Sequence, residues 1–182
     1  MLVGEKVILR PLERSDLTLV AAWRNDPDVR KHFFSPYLIA QSGQESWYED
    51  HLRRRDSLIY IVSDRGKDER VGMVGLDHID PRNQSAEYGR MLIADPASRG
   101  KGYARDATMT LIHYAFRDLN LHRIYLRVYA DNAEALKLYE RCGFEREGTE
   151  RDAVYMGGCF RDVVLMSVLR KERLSTPEDH KG

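Results

Sequence analysis

Arg99-Gly100-Lys101-Gly102-Tyr103-Ala104 lies between an apolar segment ending near Ile93 and a long amphipathic one running to Leu119. Two glycines let backbone approach a ligand closely, and the first turn of a helix presents free amides reinforced by the helix dipole. Such a turn suits an anion, and a pyrophosphate in particular. Asp95-Pro96 closes the strand before it, because Pro donates nothing to a ladder and Asp favours a turn. Arg99, Lys101 and Arg105 place positive charge around the same spot. Two common phosphate motifs are absent. A dinucleotide fingerprint needs a third glycine where Arg105 stands, and a nucleotide P-loop needs Ser or Thr after its lysine, where Gly102 stands. The stretch is therefore either an unusual phosphate turn or simply the entry to a helix.

Outward from the turn, apolar side chains at positions 104, 107, 111, 112, 115 and 119 repeat at helical spacing. Arg105, Asp106, Thr110, His113 and Arg117 fall on the opposite, water-facing side. The segment before the turn, Ala86 to Ile93, alternates as a strand. Glu87, Gly89, Met91 and Ile93 share one face and Ala86, Tyr88, Arg90 and Leu92 the other, unless a bulge resets the phase. Arg123 to Tyr129 is a second strand, so strand, turn, helix and strand form a βαβ unit with parallel strands. Asn132 caps a short helix from Ala133 to Arg141, which Gly143 ends in the left-handed conformation. Phe144 to Arg151 and Phe160 to Leu169 read as closing strands around Gly157-Gly158.

Upstream, Lys6 to Arg10 is a strand stopped by Pro11, and Leu58 to Val62 with Val71 to Ile79 makes a hairpin. Between them lie three helices: one capped at Ser15-Asp16 and running through Trp23, one from Asp28 to Phe34, and one from Gln44 to Arg55. Their aromatics, Trp23, Phe33, Phe34, Tyr37, Trp47 and Tyr48, suit a wall over one end of the sheet.

A chain of 182 residues can bury a core without disulfides or metal. Lys plus Arg and Asp plus Glu both number 29, so no net field draws it to nucleic acid or to an anionic membrane. The first residues lack the apolar core of a signal peptide, and no run approaches the ~20 apolar residues of a span, so the expected location is the cytoplasm. Cys142 and Cys159 read as ordinary buried or half-buried thiols. The six histidines show no metal-ligand spacing, and no metal is expected.

These residues resemble the GNAT superfamily of N-acetyltransferases over nearly the whole chain, from Lys6 to Val168. The superfamily signature Arg/Gln-x-x-Gly-x-Gly/Ala is met by Arg99, Gly102 and Ala104, and a second, Asn-x-x-Ala-x-x-Leu-Tyr-Glu-x-x-Gly-Phe, by Asn132, Ala135, Leu138, Tyr139, Glu140, Gly143 and Phe144. Leu9-Arg10-Pro11-Leu12 with Ser15-Asp16-Leu17, and the run from Gly158 to Asp162, are similar to the ribosomal-protein N-terminal and spermidine acetyltransferase groups. The resemblance implies an α/β fold: a seven-stranded mixed sheet splayed between strands 4 and 5 and flanked by four or five helices, in a single domain over residues 1–169 with a frayed tail from 170 to 182. It implies acetyl-CoA as co-substrate. Arg99, Gly100, Lys101, Gly102, Tyr103, Ala104 and Arg105 would hold its pyrophosphate, and the backbone of Leu92 and Ile93, with Asn132 and Tyr139, would meet the pantetheine arm. A bulge on the splayed strand aims an amide at the thioester oxygen in the family.

Acetyl transfer to an amine needs a base, because the amine is mostly protonated at neutral pH, and Glu87 is the candidate. A free thiol has a pKa of ~8.5, so an acid at the leaving sulfur helps, and Tyr139 is placed for it. Phe33, Phe34, Trp47, Glu87 and Tyr155 are the candidates for acceptor binding. The acceptor is expected to be a protein N-terminus or a small amine such as a polyamine or amino sugar. The excess of acid that a polyamine calls for is missing between Asp26 and Arg55, where arginines offset the carboxylates. A non-catalytic acyl-CoA sensor or scaffold is the competing class. Exposed strand edges make a homodimer plausible.

Overall fold

The computed structural model describes residues 1–173. The alternating segments assemble into one mixed sheet: β1 (Leu2–Val3), β2 (Val7–Pro11), β3 (Leu58–Asp64), β4 (Arg70–Asp80), β5 (Ser85–Ile93), β6 (Arg123–Tyr129), β7 (Glu145–Met156) and β8 (Cys159–Leu169). Their spatial order is β1-β2-β3-β4-β5-β6-β8-β7. Among the described residues only β5 and β6 are parallel, as the βαβ reading requires. Seven strands are expected from the sequence; the eighth is β1, whose two residues are too few to show a period. The parting expected between strands 4 and 5 therefore falls between β5 and β6.

Helices α1 (Leu17–Asn25), α2 (Pro27–Arg30) and α3 (Gln41–Arg53) cover one face of the sheet, and α4 (Tyr103–Arg117) and α5 (Ala133–Arg141) the other. Arg170–Arg173 add a last helical turn, α6; the rest of the expected frayed tail, from 174 on, lies outside the described residues. The two faces carry separate cores. Leu17, Val20, Ile59, Ile61 and Met73 pack under α1 to α3, and Val62, Leu76, Tyr88, Leu111, Ile112 and Ile124 under α4. Asp106, expected to face water, is instead half-buried and accepts hydrogen bonds from the amides of Glu5, Lys6 and Val7 at 3.2, 2.8 and 3.0 Å. Only glycine fits the strand's approach there: a Cβ on Gly4 would lie 2.5 Å from the Asp106 carboxylate. Of the two thiols, Cys142 is buried in the α4 core and Cys159 is exposed at the β7–β8 turn.

Strand β5 carries the bulge that resets its phase. Gly75 faces Gly89, but Met73 faces Leu92, so three steps of β5 match two of β4. The extra residue is Arg90, at φ 58°. A non-glycine residue held there carries strain of about 1–3 kcal/mol, which surrounding contacts must offset. Asp77 accepts two hydrogen bonds from the Arg90 guanidinium at 2.7 and 3.1 Å, and the Trp47 ring lies 5.4 Å beneath it. In consequence Ala86 and Tyr88 pack toward α4, while Leu92 points to the α1–α3 core.

The expected cap of α1 is also placed differently. Asp16 is fully buried, and its carboxylate accepts the Glu13 amide at 3.0 Å and the guanidiniums of Arg10 and Arg70. It closes the turn that precedes α1 rather than capping α1 itself. Burial alone pushes its carboxyl up, and Arg10, the Glu13 amide and Arg70 together more than offset this, so the net shift is downward. A depressed carboxyl contributes stability above the ordinary carboxylate range, and that contribution is lost as pH falls through the folded value. We expect Asp16→Asn to destabilise by about 3 kcal/mol at pH 7, the low end for breaking a buried ion pair, since both arginines reach water. Urea midpoints should show the gap from wild type narrowing in acid.

Candidate active site

Strands β5 and β6 are hydrogen-bonded only where Ser85, Ala86 and Glu87 face Arg123, Ile124 and Tyr125. Beyond Glu87 they part, and a cleft of about 600 Å³ opens in the wedge. Its walls include Glu87, Leu92, Ile93, Arg99, Gly100, Gly102, Tyr103, Ala104, Arg105, Asn132 and Tyr139, together with Phe33 and Phe34 from the segment after α2. Residues far apart in the chain thus meet along one groove.

At one end lies the glycine turn. Gly100 and Gly102 have φ of 74° and 87°, in the left-handed region that favours glycine, and Gly102 is the N-cap of α4. The backbone amides from Gly100 to Arg105 have no hydrogen-bond partner among the described residues. Six consecutive free donors at the head of a 15-residue helix form a site built for an anion. The charges around it divide. The Arg99 guanidinium turns back onto the carbonyls of Ile93 and Ala94, at 3.1 and 3.2 Å, so it braces the turn against the end of β5. Lys101 is not on the cleft wall; its carbonyl accepts from Lys6 Nζ at 2.9 Å. The Tyr103 hydroxyl donates to Asp64. Arg105, Lys137 and Arg141 are exposed on the cleft wall with no ion-pair partner among the described residues, and are cations left for a ligand.

Tyr139, on α5, lines the groove. Its ring packs edge-on against Tyr88 and Phe144, each 5.8 Å away between centroids, and its hydroxyl has no hydrogen-bond partner among the described residues. Burial pushes this phenol well above its ordinary pKa, with Cys142 adding to the shift, so the hydroxyl stays protonated. Tyr88 is buried beside it, 2.7 Å from the Thr108 hydroxyl. The Asn132 side chain accepts the Ala135 amide at 3.1 Å as the N-cap of α5, while its amide nitrogen sits 3.3 Å from His32.

Glu87 stands where the two strands begin to diverge. Its side chain is 27% exposed and its Oε2 lies 2.9 Å from His78 Nδ1. His78 was not singled out from the sequence. It sits one residue past Asp77, the register partner of Glu87, at φ 52° in an irregular stretch of β4, and a two-residue alternation gives no sign of that. Two candidates lie elsewhere. Trp47 is stacked with His51 on α3, beneath Arg90 and off the cleft wall. Tyr155 is exposed near the β7–β8 turn, against Phe160. Phe34, by contrast, lines the cleft with its ring edge-on to Tyr129 at 4.8 Å and Arg127 over its face.

This groove fits acetyl-CoA: free amides for a pyrophosphate, an open edge of β5 past Glu87 for an amide-bearing arm, and a phenol on its wall. The family model described as "Acetyltransferase (GNAT) domain" matches residues 6–145. A spermidine N(1)-acetyltransferase from Vibrio cholerae is 32% identical over 176 residues, spanning 97% of this chain and all of the relative. A putative ribosomal N-acetyltransferase from Bacillus subtilis is 36% identical over 101 residues, 56% of this chain and 54% of that one. Among solved structures, the Vibrio cholerae spermidine N-acetyltransferase in complex with CoA and spermine superposes with a TM-score of 0.86 at 32% identity, covering 94% of this chain and 99% of that one. With its parted strands, free-amide turn and both signatures in one cleft, the chain belongs to the GNAT acetyltransferases, and it is an acyltransferase that uses acetyl-CoA.

Proposed function

We propose that residues 1–169 form a single acyl-CoA N-acyltransferase domain that acetylates a primary amine directly, with Glu87 as the base and Tyr139 as the acid. When bound, acetyl-CoA supplies an activated acetyl group as a thioester. Glu87 takes the proton of the incoming ammonium, directly or through water, and His78 at 2.9 Å holds the carboxylate in place. Tyr139, kept protonated by burial, donates toward the departing sulfur. The free amides from Gly100 to Arg105 and the Arg105 guanidinium carry the pyrophosphate. What carries this reading is that a carboxylate and an unpartnered phenol line the same cleft in the wedge between β5 and β6.

The acceptor is a small amine or a chain terminus, and spermidine heads the candidates because of the relatives' names. A cytoplasmic setting supplies the donor. The edge of β7, exposed from residue 145 to 153, suits pairing with a second copy as a homodimer. Thiol release from acetyl-CoA should be measured against spermidine, amino sugars and peptides with free N-termini. Release with any of them is the expected result. Acetyl-CoA binding by calorimetry without release from any amine would favour the sensor reading.

A further inference from the structure

Arg90 stands on the cleft wall in a backbone conformation uncommon for anything but glycine. Of the six non-glycine residues with positive φ among the described residues, it alone borders the cleft. Asn and Asp reach this region with the help of a local side-chain hydrogen bond, whereas an arginine makes its bonds at the far end of a long chain. What holds Arg90 lies outside β5. Asp77 on β4 accepts its Nε at 2.7 Å and a terminal nitrogen at 3.1 Å, and the Ser57 hydroxyl fixes the same carboxylate at 2.7 Å. Burial raises the Asp77 carboxyl, but Arg90, with Ser57 and Arg54, more than offsets it, so the pair stays charged. Trp47 on α3 lies against the guanidinium and is itself stacked with His51. Strand β4 is shaped to receive the bulge. A Cβ on Gly75 would lie 3.3 Å from Arg90 Cδ, and one on Gly72 would lie 2.0 Å from the Leu92 carbonyl oxygen.

The bulge decides what β5 shows the cleft. In a strand the N–H and C=O of one residue point to one edge, and those of the next residue to the other. One extra residue at Arg90 therefore exchanges, from there on, the groups turned to β4 with those turned to the edge that β6 leaves open beyond Glu87. Resting on the transferase reading above and deepening it, we infer that Arg90 is a positioning residue for acetyl transfer, clamped by Asp77 and Trp47 so that the β5 backbone from 89 to 92 meets acetyl-CoA in the correct phase. The side chain acts only through its backbone, since Asp77 already matches the guanidinium. Asp77 also precedes His78, which holds Glu87, so one stretch of β4 fixes both the bulge and the base.

The test compares Arg90→Ala, Arg90→Gly and Asp77→Asn in the full chain. Thiol release is measured at saturating acetyl-CoA with the amine that wild type uses, and hydrogen exchange of the β5 amides is followed with and without acetyl-CoA. Both Arg90 variants lose the guanidinium, but glycine adopts the left-handed conformation freely and alanine does not. Arg90→Ala should lose about 10²-fold in kcat, the cost of a small misplacement, and Arg90→Gly should recover most of it. Asp77→Asn should lower kcat alone and have no further effect in Arg90→Gly; a loss that persists there would run through His78 and overturn the clamp. Acetyl-CoA should slow exchange of the amides from 89 to 92 in wild type and Arg90→Gly but not in Arg90→Ala. Wild-type kcat in Arg90→Ala, or an equal loss in both Arg90 variants, overturns the inference. Should Arg90→Ala not fold, Asp77→Asn with and without Arg90→Gly decides in the same way. If wild type releases thiol with no amine, the exchange data separate the two readings. Protection by acetyl-CoA that Arg90→Ala loses and Arg90→Gly regains upholds the clamp while the transferase reading falls, and its absence overturns the clamp.

Discussion

Glu87→Gln is expected to lower kcat/KM by about 10²–10³-fold with acetyl-CoA affinity retained, the loss typical of removing a positioned general base. Gln keeps the shape of the side chain and its reach toward His78 Nδ1, now 2.9 Å away, but accepts no proton. The position matters as much as the chemistry. Glu87 is the last β5 residue paired with β6, opposite Tyr125, so its backbone is fixed by strands on both sides while its side chain borders the cleft. A substitution there should leave the sheet intact, and circular dichroism and melting should confirm it. Steady-state kinetics against the acceptor, with calorimetry for acetyl-CoA, is the measurement. A rise in KM at constant kcat would reduce Glu87 to a group that only attracts the amine.

Tyr139→Phe removes one oxygen and should lower kcat by about 10²-fold without weakening CoA binding. The ring contacts with Tyr88 and Phe144 do not involve the hydroxyl, so packing and stability should change little. Burial holds the phenol protonated across the neutral range, and wild-type activity should show no loss of this acid between pH 6 and 9. Rapid-mixing measurement of thiol release separates chemistry from product departure. An unchanged single-turnover rate would mean that the thiolate leaves unaided, as its ordinary pKa of ~8.5 permits, and that Tyr139 only packs.

Much of this molecule is local and therefore readable along the chain. The helical spacing that ends in Leu111, Ile112 and Ala115, the left-handed glycines at 100, 102 and 143, and the Asn132 cap each depend on a few neighbouring residues. The βαβ unit follows from their order, because a strand feeding a helix of that length returns parallel. The two signatures then bring the free-amide turn and Tyr139 to one groove without any knowledge of distances.

Long-range pairing decided the rest. The Arg90 bulge depends on Asp77 and Trp47, from other elements, and it alone moves Leu92 to the opposite core. Asp106 leaves the solvent because the chain at Gly4 comes close enough to offer three amides. Arg99 turns inward because the carbonyls of Ile93 and Ala94 end within reach of it. Trp47 keeps its helical place but falls behind Arg90 rather than on the cleft wall, and His78 reaches Glu87 through an irregular strand. The sequence by itself determined the order of elements, the anion turn and the family chemistry, since these rest on backbone conformation and short spacings. Only the tertiary structure decided which charges are matched, as Asp16 is by Arg10 and Arg70, because a side chain's partner is set by contacts between residues that the chain keeps far apart.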